Sequence, residues 1–169
     1  MTLDDLNSLA QDQFVRLVGP VFEHSPWIAE ATWPNRPFAD LERLHSSLCQ
    51  TVRKSCEEKQ LALIGAHPDL VGRAALAGTL TTQSTSEQAS AGLDRLNPQE
   101  IELFQKLNQA YRDKFGFPFI ICARLNKKET ILNGLRSRVN HSRTQEIQTA
   151  LEEIYKIAYL RLKDIVSAK

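Results

Sequence analysis

Leucine, isoleucine, valine and phenylalanine recur every three or four positions along most of this chain, the spacing of one face of an α-helix. Leu3, Leu6, Leu9 and Ala10 open the pattern behind Thr2, which pairs with Asp5 as a capping box. Asp12 is placed to cap a second short helix carrying Phe14, Leu17 and Val18, ended by Gly19-Pro20. Ser25-Pro26 reads as N-cap and first-turn proline of a short piece holding Trp27 and Ile28. Asn35-Arg36-Pro37 is a turn, and Leu41, Leu44, Leu48 and Val52 form a stripe on a helix of about 16 residues.

A further helix spans 57–64 and stops at Gly65. Segment 68–83 contains Gly72 and Gly78 and reads as loop with one short turn of helix, after which Ser84 opens a new helix. Asn97-Pro98-Gln99-Glu100 combines a cap, a first-turn proline and an acid at the third position. That helix carries Ile101, Phe104, Leu107, Ala110 and Tyr111 and ends at Gly116. Segment 117–124 alone reads as extended, because Pro118 breaks a helix and Phe119, Ile120 and Ile121 favour open backbone. It has no partner strand, so no sheet is expected. Helices over 127–139 and 143–166 complete an all-α chain of about eight helices, expected to form a single domain over 1–169.

Composition narrows the function classes. A net charge of +1 lacks the basic excess of a nucleic-acid protein, and Arg136, Arg138, His141 and Arg143 read as a solvated helix face. No apolar run approaches the roughly 20 residues needed to span a bilayer. The start, Met1 to Asp5, is acidic and unlike a signal peptide. Cys49, Cys56 and Cys122 are an odd count without a leader, which suggests reduced thiols in the cytosol. Cys49 and Cys56 lie seven apart, so on one helix they share a face and pack in the core. His24, His45, His67 and His141 are scattered, so no metal site is expected from local spacing. Ser167-Ala168-Lys169 is not an S-K-L address, favouring a cytoplasmic over a peroxisomal protein. Phosphate loops, dinucleotide fingerprints and nucleophile elbows are absent.

Four features could carry chemistry. His67 follows a helix end and precedes Pro68, which holds it in extended backbone and limits the directions its imidazole can take. It can exchange a proton near neutrality, or it can simply tie the loop to a carbonyl. Asp69 can orient it or cap the Pro68-Asp69-Leu70 turn. Ser84-x-x-Glu87 matches a capping box, yet Ser84, Glu87 and Gln88 would also present a hydroxyl, a carboxylate and an amide at one helix end. The 117–123 strip has side chains suited to a core and backbone groups that must find partners, which a planar, amide-rich ligand could supply. Arg161 falls beside Ile154 and Ile165 at the edge of the apolar stripe of the last helix. There it forms a structural ion pair, snorkels outward, or grips a substrate carboxylate or carbonyl.

Taken in order, several motifs carry a resemblance. They are Trp33-Pro34-Asn35-Arg36-Pro37-Phe38, His67-Pro68-Asp69-Leu70, Gly78-Thr79-Leu80-Thr81, Ser84-x-x-Glu87-Gln88, Ala91-Gly92-Leu93, the run from Tyr111 to Arg124, and Leu160-Arg161-Leu162. Over essentially its whole length the chain resembles the 2-oxo-4-hydroxy-4-carboxy-5-ureidoimidazoline (OHCU) decarboxylases of urate degradation. The resemblance implies an all-helical homodimer without metal or organic cofactor, converting a small ureidoimidazoline to (S)-allantoin and CO2. It implies that His67 is the proton donor and Glu87 its acidic partner. It places Pro68, Ser84, Gln88, Phe119, Ile120, Ile121, Ala123 and Arg161 against the substrate. The competing expectation is a non-catalytic helical module that binds a purine-derived ligand or scaffolds the preceding hydrolase of the pathway.

Overall fold

The computed structural model describes residues 1–166, with Arg73 and Ala74 described in backbone only. Ser167-Ala168-Lys169, the terminus compared above with a peroxisomal address, lies outside the described residues. The chain divides into two compact units, 1–66 with 155–169, and 67–154.

The first unit contains α1 (Leu3–Asn7), α2 (Gln11–Val18), α3 (Trp27–Thr32), α4 (Leu41–Arg53) and α5 (Glu57–Gly65). From Tyr155 onward it also contains the end of α10 (Arg143–Ile165). Thr2 and Asp5 form the expected capping box of α1. Asp12 does not cap α2. The helix starts one residue before it, and Asp12 instead pairs across one turn with Arg16. Ser25 does not cap α3 either, because its hydroxyl donates to the Glu23 carbonyl at 2.9 Å. Asp40 caps α4 by accepting from the Arg43 N–H at 2.7 Å, and the stripe of Leu44, Leu48 and Val52 is buried as its period requires. Leu6, Phe14, Val18, Ile28, Leu63 and Ile64 join that core, with Ala158 and Leu162 from α10. Full burial of each large apolar side chain contributes roughly 1.5–3 kcal/mol. The two cysteines do not share a face. Cys49 is buried in α4, whereas Cys56 lies beyond the helix end, exposed, as the N-cap residue of α5.

The Trp33–Phe38 motif belongs to this unit and is structural. The Arg36 guanidinium lies 4.0 Å over the Trp33 ring. Its Nη1 donates to the carbonyls of Asn7 and Leu9, both at 2.7 Å, which fastens the α1–α2 connection to the turn.

The second unit contains α6 (Arg73–Leu76), α7 (Thr82–Ser90), α8 (Pro98–Phe115), α9 (Lys128–Arg138) and α10 through Ile154. In α8, Asn97 accepts from the Glu100 N–H at 2.8 Å and the Glu100 carboxylate accepts from the Asn97 N–H at 3.0 Å. Gly116 ends the helix at φ 81°, a left-handed angle that glycine adopts without penalty. Segment 117–122 has no regular structure and runs into a 3-10 turn, Ala123–Leu125. No strand occurs among the described residues. Phe115, Phe117 and Phe119 gather around Tyr111, with ring centroids 4.6, 6.1 and 5.4 Å from it. Among the described residues no helix is long and apolar enough to cross a membrane.

The basic cluster is only partly a solvated face. Arg136, His141 and Arg143 are exposed. Arg138, the last residue of α9, is buried because Glu146, eight residues on in the first turn of α10, meets it across the short α9–α10 connection.

Candidate functional site

The chemistry-bearing residues of the second unit lie on three stretches: the 67–72 loop, α7, and the 117–123 strip. His67 sits two residues past the end of α5 and is buried, as are Leu70, Val71 and Gly72. Hydrogen bonds from α7 and α8 secure the loop at successive residues. The Asp69 carboxylate accepts from Arg112 Nε at 2.9 and 3.0 Å. The Leu70 carbonyl accepts from Asn108 Nδ2 at 2.6 Å. The Val71 N–H donates to Gln88 Oε1 at 3.1 Å. The Asp69 carboxylate is thus held by Arg112, a partner that neither of its two expected roles named.

Helix α7 starts earlier than its sequence signals suggested. Thr81 is the N-cap, accepting from the Ser84 N–H at 3.2 Å, so Ser84 stands at the third helical position and does not cap. The Ser84–Glu87 capping box is therefore not formed. The competing signal is Thr81, an equally good cap three residues upstream. Ser84 and Gln88 are buried and Glu87 is half-buried. At spacings of three and four residues these three side chains occupy one helix face.

The end of the strip meets this helix. The Ala123–Leu125 turn packs against α7. Burial raises the pKa of the Cys122 thiol, and the negative charges of Glu153 and Glu87 raise it further. This places Glu87 near Cys122 and argues against Cys122 as a thiolate nucleophile. The strip's side chains are core, as expected: Phe119, Ile120 and Ala123 are buried and Ile121 is half-buried. Two of its carbonyls accept from protein side chains. The Ile120 carbonyl accepts from Arg138 Nη1 at 2.7 Å, and the Cys122 carbonyl accepts from Asn126 Nδ2 at 2.9 Å.

Arg138 owes its position to Glu146, which is 0% exposed. Glu146 accepts from Arg138 Nε and Nη2, from the Tyr111 hydroxyl, and interacts with His141 Nδ1 at 2.9 Å. Burial alone would raise the pKa of this carboxyl. Hydrogen bonds from Arg138, Tyr111 and His141, with the Arg138 charge, hold it below the usual carboxylate range. The Arg138 guanidinium also lies 4.3 Å over the Phe119 ring. One buried ion pair thus anchors the strip at both a carbonyl and an aromatic face.

Arg161 belongs to the first unit. It is buried, as the helix pattern indicated, and Nη1 donates to Glu23 Oε2 at 3.0 Å and to the carbonyls of Pro20 and Val21 at 3.3 and 3.4 Å. The ion-pair alternative considered for it is therefore realised through Nη1.

Sequence reading passed over Asn108, Glu146 and Glu153. All three are polar residues buried on helices. The signal was available for Asn108, which lies in register with Phe104, Tyr111 and Phe115 on the buried face of α8. A polar residue in an apolar stripe marks a required hydrogen bond, by the same logic that singled out Arg161. No group of three or more histidine, cysteine or acidic side chains suited to a metal ion occurs among the described residues.

Comparison with known proteins agrees in one direction. Residues 7–163 match the OHCU decarboxylase family. A 2-oxo-4-hydroxy-4-carboxy-5-ureidoimidazoline decarboxylase from Halalkalicoccus jeotgali is 46% identical over 165 residues, covering 98% of this chain and 92% of its own. One from Haloferax volcanii is 41% identical over 169 residues, covering 100% and 98%. A crystal structure of (S)-allantoin synthase is similar with a TM-score of 0.79 and 32% identity over 99% of this chain, which spans 54% of that longer one.

Proposed function

Because this chain belongs to the OHCU decarboxylase family and is a carboxy-lyase of urate degradation, we propose a cofactor-free reaction centred on His67, giving (S)-allantoin and CO2. The supporting observation is the convergence of three stretches in the second unit. The Val71–Gln88 hydrogen bond ties the His67 loop to α7, and α7 packs against the end of the strip.

The substrate's own ring makes the reaction possible without an electron sink from the protein. As the bond to the carboxylate breaks, CO2 leaves and the electron pair spreads into the conjugated ring. His67, as the acid, then delivers a proton to one face of the ring carbon, which sets the stereochemistry. The imidazole recovers its proton from solvent. Glu87 orients His67 or accepts the substrate hydroxyl. Ser84 and Gln88, on the same helix face, bind ring and ureido groups, and Pro68 lines the approach. In this reading the strip meets the substrate at Phe119, Ile120, Ile121 and Ala123, while its carbonyls at 120 and 122 serve protein donors. Arg161 acts best on oxygens that gain charge in the transition state, since gripping the departing carboxylate would oppose its loss.

The same reading takes 1–169 as one functional domain, supported by a family match that runs through both units. It takes the protein as a homodimer in the cytoplasm, where the free thiols of Cys49, Cys56 and Cys122 suit a reducing compartment.

The test is turnover of freshly generated substrate, followed by the optical activity of allantoin. His67→Asn is expected to lower kcat by about a hundredfold or more. Near-normal turnover of that variant or of Glu87→Ala removes the assigned role. For Arg161→Ala, a fall in kcat with unchanged KM fits transition-state stabilisation, whereas a rise in KM alone fits a uniform anchor.

A further inference from the structure

Val71 is a β-branched residue at φ 55°, in the left-handed region that such side chains rarely enter. A backbone of this kind is strained and persists only where the surroundings impose it. Here they do so residue by residue. Asp69, Leu70 and Val71 are held respectively by Arg112, Asn108 and Gln88. Gly72 completes the turn, its N–H donating to the Asp69 carbonyl at 3.3 Å. Arg112 and Asn108 stand four apart on α8, so one helix face grips two consecutive residues of the loop.

Asn108 is the more telling of the two. It is 5% exposed within an apolar stripe, and its Oδ1 finds no hydrogen-bond partner among the described residues. An apolar side chain would avoid that desolvation penalty. What Asn108 supplies is the donor to the Leu70 carbonyl, a buried acceptor that an apolar residue would leave unsatisfied.

We infer that Asn108 and Arg112 are positioning residues for His67, holding the Asp69–Val71 turn so that the imidazole keeps its aim through the catalytic cycle. This rests on the reading of His67 as proton donor. Neither residue need touch substrate. His67 is two residues from Asp69 with proline between them, so a shift of the turn passes to the imidazole with little slack. A misplacement of about 1 Å in a proton-transfer geometry can cost up to about a hundredfold in rate.

The experiment compares His67→Asn, Asn108→Leu and Arg112→Met for kcat, KM and the pH profile of kcat, with the His67 imidazole resonances recorded for the last two. Asn108→Leu is expected to lower kcat about tenfold or more, and Arg112→Met about threefold or more, with KM changed by less than about threefold. Both should move the His67 resonances and the limb of the pH profile that His67 governs. A half-exposed ion pair such as Arg112–Asp69 contributes little to stability, so Arg112→Met should fold and decides the question even if Asn108→Leu does not. Normal kcat in either folded variant, while His67→Asn is inactive, overturns this inference alone. Normal turnover in His67→Asn removes the catalytic reading beneath it.

Discussion

Gly72 shows how tightly the His67 loop is built. A Cβ placed there would lie 2.7 Å from the Asp69 Cβ, closer than real contacts allow, and a tight 3.2 Å from its carbonyl oxygen. Gly72→Ala must therefore open the turn that Arg112 and Asn108 hold, at a cost of about 1–3 kcal/mol. Urea denaturation should show the loss as a lower midpoint at unchanged slope, with activity falling as well. The cysteines make a second prediction at this scale. Cys56 is exposed, whereas Cys49 is buried and burial raises the Cys122 pKa. Ellman's reagent should therefore titrate one thiol rapidly in the native protein and all three after denaturation. The positions of Cys49 and Cys56 were not legible in the sequence, because a spacing of seven implies a shared face only if the helix continues, and α4 ends at Arg53.

At the scale of elements, start and stop chemistry was legible where one signal stood alone and misleading where two competed. Asn97-Pro98-Gln99-Glu100 and Gly116 bound α8 as expected, because cap, proline, acid and glycine all agree. Asn97→Ala should cost about 1 kcal/mol, through loss of the hydrogen bond to the Glu100 N–H. Differential scanning calorimetry should register this as a fall in Tm of about 2–4 °C. Around α7 the choice lay between Thr81 and Ser84, and local sequence could not rank two hydroxyl caps three residues apart. With Thr81 as cap, Ser84 moves from the helix end to its buried face beside Gln88. That change turns the segment from a structural motif into a candidate binding surface.

For the molecule as a whole, the largest electrostatic prediction concerns Glu146. Its folded pKa lies below the unfolded value, so its ionised form contributes stability above the usual carboxylate pKa of about 4.3, and that contribution is lost as pH falls through the folded value. Denaturant unfolding between pH 7 and pH 3 should show stability falling towards acid, with a shallower fall in Glu146→Gln. At pH 7 that variant should lose about 3–5 kcal/mol, because it leaves Arg138 buried without its countercharge. The all-helical architecture, the unpaired strip and the buried side of α10 followed from the sequence, since each depends on a period or breaker within a few residues. The candidates His67, Glu87 and Arg161 came instead from a resemblance carried by short motifs in order. Tertiary structure alone decided which polar groups meet. The pairing of Arg138 with Glu146 and Ile120, of Arg161 with Glu23, and of Asn108 with Leu70 joins residues from 8 to 138 positions apart. Hydrogen bonds of that reach leave no local period. They exist because burial forces each polar group to find a partner wherever the folded chain brings one.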